Sequence, residues 1–261
     1  MNPENINNAE FLSRVTAVVP EQRQIDFQNL GYYNFIHFGL NTFTKKEWGS
    51  GKVNPKVFTL TDIDTDKWAK QLKSTGSTGI ILTAKHHDGF CLFPSKYTDT
   101  YFGWFWRPIF EIFFTRSVRN LENCYYNSVG ANATLLVNVP PNDNGELPEK
   151  FIKRLVKARK RIESRFSDKA EIVNITQNKN DFVIKIKPQT VKTVVLSEDI
   201  IKSQRIEDFS IIASGKTVYS GTAVGFKKIC ILKKPVKNCS QLIIRIDRCR
   251  LHPCIKDVSV Y

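Results

Sequence analysis

No apolar run in this sequence of 261 residues comes near the roughly 18 residues that a helix needs to cross a bilayer. None of its six cysteines belongs to a C-x-x-C pair, which argues against a zinc ribbon or a thioredoxin-type site. Internal repeats and low-complexity tracts are also missing. With 41% hydrophobic and 25% charged residues, the composition instead indicates a globular protein of one large domain or two modest ones.

The sequence does not fix the cellular compartment. Segment 1–20 has neither a basic start nor a long apolar stretch, so it does not resemble a signal peptide. We therefore expect a protein that stays inside the cell or one whose leader is missing from this sequence. The cysteines after residue 229 would permit disulfides in an oxidising compartment, and Asn132, Asn174 and Asn238 begin Asn-x-Ser/Thr sequons.

The net charge of +14 is concentrated in segment 150–165, KFIKRLVKARKRIESR. Helical spacing predicts a helix here with an apolar face on one side and basic residues over the rest. That face consists of Phe151, Ile152, Leu155, Val156 and Ile162. The basic side has two interpretations, a patch for nucleic acid or another anionic surface, or a solvated outer helix. We favour the solvated helix, since no nucleic-acid fold motif accompanies it.

The first two-thirds of the chain alternate predicted strands and helices. Apolar runs at 33–38, 79–83 and 134–139 suit buried strands. A helix capped by Asp64 and stopped at Gly76 separates the first two, and a second helical stripe runs from Val118 towards Gly130. This order predicts parallel βαβ units.

From about residue 169 the pattern changes to short runs of β-branched residues separated by turn residues. Such runs are typical of an antiparallel sandwich. We therefore predict two domains, an α/β domain over residues 1–168 and an all-β domain over residues 169–261.

Three of the four histidines lie at the carboxyl ends of the two best predicted parallel strands. They are His37, His86 and His87, and Glu47 and Trp48 lie near them in sequence. Active sites of parallel α/β barrels form at that end of the strands. Imidazoles, a carboxylate and an indole could bind the hydroxyls and the apolar face of a neutral sugar without a metal ion.

Two other interpretations of these residues stay open. The histidines could be hydrogen-bonded structural residues, and Trp48 could be a core residue. A metal site could use His37, one histidine of the pair and Asp88 as ligands. However, adjacent strand residues point to opposite faces, so His86 and His87 cannot easily share one ion.

The stretches FIHFGLNTFTKKEWGSGKVNP and DKWAKQLKSTGSTGIILTAKHHDGFCLFPSKYTDTY resemble the N-terminal part of α-L-fucosidases of glycoside hydrolase family 29, above all the plant-type branch. A second block, GWFWRP followed by CYYNSVGANATLLVNVPPNDNGELPE, resembles the closing part of the same barrel. IIKSQRIEDFSI and YSGTAVGFKKI are similar to the C-terminal sandwich of that family.

The resemblance implies a (β/α) barrel of the TIM type that removes terminal α-linked L-fucose from glycans with retention and needs no cofactor or metal. It assigns the fucose pocket to five residues, His37, Glu47, Trp48, His86 and His87. The implied partner is a fucosylated glycan or glycoconjugate, with no nucleic acid and no membrane span. Family members are mostly secreted or lysosomal.

The chain departs from the family between Asp99 and Gly103, where the family has a long middle region. By resemblance, that region holds the aspartate nucleophile in a Trp-x-Asp-Gly setting and the glutamate acid/base. This sequence has no Trp-x-Asp-Gly, and we expect Asp88, Asp99, Glu111 and Glu122 to have surface or structural roles. The pattern places Glu111 and Glu122 on the outer side of a helix. The barrel would then be incomplete, and a homo-oligomer is one way of covering its open edges.

Three hypotheses follow from this departure. The chain is an active fucosidase, a non-catalytic fucose- or glycan-binding protein, or an inactive product of truncation or of an incomplete gene model.

Overall fold

The computed structural model describes residues 8–46, 48, 51–60, 62–86, 89–93 and 117–261. The chain forms two compact units. The parallel unit comprises Leu30–Cys124 and Thr134–Arg161, and the antiparallel unit comprises Met1–Asn29, Tyr125–Ala133 and Ile162–Tyr261. Among the described helices, none has the length and apolar character that a membrane span requires.

A three-stranded parallel sheet forms the centre of the parallel unit. Strand β1 (Tyr32–Ile36) lies between β2 (Ile80–Leu82) and β3 (Leu135–Asn138), and it pairs in parallel with both. The prediction of three parallel strands is therefore confirmed, with each strand slightly shorter than its apolar run. β2 is exposed despite its apolar sequence.

Four α-helices accompany this sheet in sequence: α3 (Leu40–Thr44), α4 (Thr65–Ser74), α5 (Val118–Ser128) and α6 (Glu149–Arg165), with a 3-10 turn at Pro55–Val57. Helix α4 begins as the sequence predicts, because Oδ1 of Asp64 accepts a hydrogen bond from the backbone N–H of Lys67 at 2.8 Å. It ends before Gly76, whose φ of 81° is a left-handed conformation that glycine adopts without strain.

One face of the parallel sheet packs against the helices. Trp68 and Leu72 of α4 and Phe151 and Leu155 of α6 are buried in the same cluster as Ile36. Asn34 lies on this face too, and its amide Nδ2 donates to the carbonyl of Val137 at 3.1 Å and to the hydroxyl of Tyr32 at 3.0 Å. This packing fixes β1 relative to β3, and so fixes where the ends of the two strands lie.

The antiparallel unit begins with two short helices, α1 (Asn8–Thr16) and α2 (Gln22–Asn29). Its sheet contains six strands: β4 (Ile172–Asn178), β5 (Asp181–Glu198), β6 (Ile206–Ala213), β7 (Lys216–Thr222), β8 (Lys228–Cys249) and β9 (Ile255–Val260), with a 3-10 turn at Ile200–Lys202. The order is β4-β5-β8-β6-β7, and β9 pairs with β5. All of these pairings are antiparallel, as the sequence predicts for this region.

The carboxylate of Glu198, at the end of β5, links three backbone segments of the antiparallel unit. It is 2% exposed and accepts hydrogen bonds from the backbone N–H groups of Arg205 at 2.8 Å, Ile206 at 3.0 Å and Gly225 at 2.6 Å. Because a buried charge must be satisfied by strong donors, this carboxylate has a structural role.

Candidate functional site

The carboxyl ends of the three parallel strands bring together residues that are far apart in sequence. His37 follows β1 directly, His86 follows β2 after a short link, and Asn138 is the last residue of β3. The register aligns Ile36 with Leu82 and Phe35 with Asn138, so all three ends lie at one edge of the sheet. In parallel α/β proteins this edge is the usual location of a binding site.

The ring of His37 is held from two sides. Nδ1 lies 3.0 Å from Oδ1 of Asn138, and the ring of Phe35 stacks on the imidazole with centroids 4.3 Å apart and an interplanar angle of 13°. An amide oxygen can only accept, so Nδ1 carries the proton in this arrangement. In the neutral ring Nε2 is then the acceptor nitrogen.

The second histidine of the site lies edge-on to the first. The ring centroids of His37 and His86 are 4.7 Å apart, and the planes meet at 72°. Backbone hydrogen bonds position His86, since its carbonyl accepts from the N–H of Gly89 at 3.0 Å and Leu92 N–H donates to the carbonyl of Ala84 at 2.8 Å. Two half-buried imidazoles thus present polar nitrogens at one point.

Trp48 is 55% exposed, which contradicts the alternative that it is a core residue. An exposed indole offers the flat apolar surface on which a sugar ring packs. Glu47 and His87, the two other predicted site residues, lie outside the described residues, so the structure brings together His37 and His86 of the predicted five.

The metal interpretation depends mainly on residues that the structure does not describe, since Asp88 and His87 both lie outside the described ranges. Within those ranges, no group of three histidine, cysteine or acidic side chains is close enough to hold an ion.

Among the candidate carboxylates, only Glu122 lies within the described residues. The prediction that it lies on the outer side of its helix is wrong. Glu122 is 6% exposed, and Oε2 lies 2.9 Å from Nε of Arg161 on α6. This ion pair holds α5 to α6 inside the parallel unit, which gives Glu122 a structural role.

The cysteines in the described part of the chain form no disulfides, including those that the C-terminal cysteines would permit. Cys230 is fully buried, and burial raises the pKa of its thiol to about 12. A thiol with so high a pKa stays protonated at neutral pH and is a poor nucleophile.

Sequence reasoning missed Asn138 and Phe35. Asn138 is the one polar side chain in the apolar run Leu135–Val139, which is a signal that could have been noticed. Its partner could not have been identified, because His37 lies 101 residues away in sequence.

Residues 7–109 match the family model described as alpha-L-fucosidase. Over 81 residues, the chain is 49% identical to alpha-L-fucosidase 1 of Arabidopsis thaliana, a match that covers 31% of this chain and 16% of that protein. The chain therefore matches only a small part of this relative's length.

Solved structures resemble the chain over nearly its whole length. A structure from Bacteroides ovatus, described as a candidate alpha-L-fucosidase, superposes with a TM-score of 0.86 at 20% identity, over 99% of this chain and 76% of that one. The GH29 fucosidase of Ruminococcus gnavus in complex with fucose superposes with a TM-score of 0.75 at 17% identity, over 94% and 95% of the two chains. At these identities the likeness is one of fold.

Proposed function

We propose that the protein binds terminal L-fucose of glycans without hydrolysing it, from the premise that residues 7–109 match the alpha-L-fucosidase family model. The pocket would consist of His37, Glu47, Trp48, His86 and His87. The observation that carries the proposal is the pairing of His37 with His86 at the edge where three parallel strands end.

The described geometry suits a small neutral deoxysugar. Asn138 fixes the proton of His37 on Nδ1, so Nε2 accepts from a sugar hydroxyl. His86 adds a second polar nitrogen within the same few ångströms. The exposed indole of Trp48 provides an apolar surface for the face and the methyl group of fucose.

Hydrolysis with retention requires two carboxyl groups about 5–5.5 Å apart, one as nucleophile and one as acid/base. Among the candidates in the described chain, Glu122 is buried against Arg161 and is not available. The sequence also lacks the Trp-x-Asp-Gly setting in which the resemblance places the nucleophile. A chain that has the imidazoles but lacks the two catalytic carboxyl groups would bind the sugar without hydrolysing it.

We also propose an architecture for each of the two units. We take the parallel unit to be an incomplete (β/α) barrel within residues 1–168 and the antiparallel sheet to be part of a sandwich within residues 169–261. The fucosylated glycan is the proposed partner. Self-association is proposed as the means of covering the exposed strand β2.

Calorimetry with L-fucose tests the binding function. We expect a saturable heat for the intact chain and none for the mirror-image sugar D-fucose. His37→Ala should weaken binding about tenfold, in line with the loss of a buried polar contact. The matched control is His252→Ala, because His252 is an exposed histidine of the antiparallel unit. No saturable heat with L-fucose would refute the proposal.

The second candidate is an active fucosidase, which the family match of residues 7–109 favours. Release of the chromophore from a chromogenic α-L-fucoside separates the two candidates. Turnover by the intact chain that disappears in a His86→Ala/His87→Ala variant would establish catalysis and overturn the non-catalytic proposal.

A further inference from the structure

Helix α6 carries a row of lysines along its outer face. Lys150, Lys153, Lys157 and Lys160 are all exposed, and their spacing of three, four and three residues places them on one side of the helix. At a rise of 1.5 Å per residue the row is about 15 Å long. We refer to these four residues as the lysine row.

The opposite face of α6 fixes the direction of the row. Phe151, Ile152, Leu155 and Ala158 are each no more than 7% exposed and belong to the core of the parallel unit. Because the helix is anchored by this face, the ammonium groups of the row cannot turn inward. The helix therefore presents a rigid line of positive charge.

Most of this charge has no ion-pair partner among the residues that the structure describes. Lys153 pairs with Glu149 at 2.7 Å, whereas Lys150, Lys157 and Lys160 have no carboxylate within ion-pair distance in the described chain. Three arginines near the end of β8 in the antiparallel unit differ, since each has a carboxylate partner. Their pairs are Arg245–Asp181 at 3.2 Å, Arg248–Asp208 at 2.6 Å and Arg250–Glu207 at 2.9 Å.

We propose that the lysine row binds an acidic polysaccharide, a glycan chain that carries carboxylate or sulfate groups. Unpaired ammonium groups in a line attract a polyanion, and lysine acts as a point charge that does not demand one ligand geometry. The choice of a glycan polymer rests on the proposed fucose-binding function. The row would hold the polymer to which the terminal fucose is attached.

The surface of α6 argues against single-stranded nucleic acid as the occupant. Such binding combines positive charge with exposed aromatic rings on which bases stack. The aromatic residue of α6, Phe151, is 4% exposed and packs in the core. The row therefore supplies charge without a stacking surface.

The test measures affinity for polygalacturonate, heparin, neutral dextran and single-stranded RNA at several salt concentrations. Polygalacturonate carries carboxylates and heparin carries sulfates as well, so the pair identifies the preferred anion. We expect binding to at least one acidic polysaccharide, no binding to dextran, and affinity that falls as salt rises, because exposed charges are screened.

Two variants of equal net charge show whether the lysine row itself binds the acidic polysaccharide. Lys150→Gln/Lys157→Gln/Lys160→Gln should weaken acidic-polysaccharide binding about tenfold. The control Lys216→Gln/Lys233→Gln/Lys256→Gln removes three exposed lysines of the antiparallel unit and should change the affinity less than twofold. Equal losses in both variants, absence of binding, or tighter binding to RNA than to either polysaccharide would overturn the proposal.

Calorimetry with free L-fucose keeps this inference separate from the proposed function. Both triple variants should bind L-fucose as the unmodified chain does, because none of the substituted lysines belongs to the candidate pocket. Binding of the acidic polymer through the lysine row without any heat from L-fucose would refute the proposed fucose pocket. It would not contradict the proposed binding of acidic polysaccharide.

Discussion

Nδ1 of His37 and Oδ1 of Asn138 lie 3.0 Å apart, although 101 residues separate them in sequence. The contact joins the ends of β1 and β3 and places the proton of the imidazole on Nδ1. Asn138 is thus a positioning residue for the imidazole rather than a residue shown to touch the sugar.

We expect Asn138→Ala to weaken L-fucose binding about tenfold, because the ring of His37 loses the acceptor that fixes its tautomer. Calorimetry measures the effect. Asn178→Ala is the control, since Asn178 also ends a strand but is exposed in the antiparallel unit. If Asn138→Ala bound L-fucose with unchanged affinity and circular dichroism showed an intact fold, Asn138 would not be a positioning residue of the site.

The ion pair between Glu122 and Arg161 should contribute to stability through the buried carboxylate. Arg161→Ala leaves that carboxylate in the core without its arginine, so we expect a loss of about 1–3 kcal/mol in the free energy of unfolding. This expected loss is smaller than the loss for a fully buried ion pair, because the side chain of Arg161 is 53% exposed.

Urea unfolding of a double-mutant cycle measures this coupling. Adding Glu122→Gln to Arg161→Ala should recover part of the loss, since a neutral amide is cheaper to bury than an unpaired charge. Lys157→Ala on the same helix is the control and should change stability by less than about 0.5 kcal/mol. A double variant less stable than Arg161→Ala would contradict this account.

Glu198→Gln should destabilise the antiparallel unit by about 2–4 kcal/mol. Both carboxylate oxygens accept backbone N–H groups, and an amide NH₂ in place of either oxygen would face another donor. Thermal or urea unfolding is the measurement. Glu171→Gln, at an exposed glutamate that pairs with Lys187, should have little effect. If the two variants were equally stable, the three hydrogen bonds would not have the structural role given to them.

Alkaline pH should destabilise the antiparallel unit through Cys230 and Tyr219. Burial raises the pKa of Cys230 from 9.0 to about 12 and that of Tyr219 from 10.0 to about 12. Above pH 9 the unfolded chain loses these protons first, so it binds fewer protons than the folded chain and stability falls. The loss should extend from about pH 9 to about pH 12.

Urea unfolding at successive pH values from about 8 to about 11, a range that crosses the ordinary pKa of a thiol, tests the effect. Cys230→Ala should make the decline shallower, because one of the two groups is removed. Stability that rises with pH over this range would show the assignment to be wrong.

Sequence alone predicted the order of the elements and the family that the N-terminal part resembles. Periodic apolar residues predict buried strands and one-sided helices because those patterns depend on neighbours only a few positions apart. For that reason the parallel strands, the Asp64 cap and the buried face of α6 are all confirmed. The resemblance carried by the histidine motif is confirmed for residues 7–109 as well.

Tertiary structure decided the side-chain partnerships. Glu122 and Arg161, like His37 and Asn138, meet only after strands have paired in one register and helices have packed on them. No local pattern encodes such contacts, since the partners are distant in the chain and either could have faced solvent. The sequence thus determined which surfaces are apolar and which family the N-terminal part resembles, whereas packing determined which polar groups meet inside.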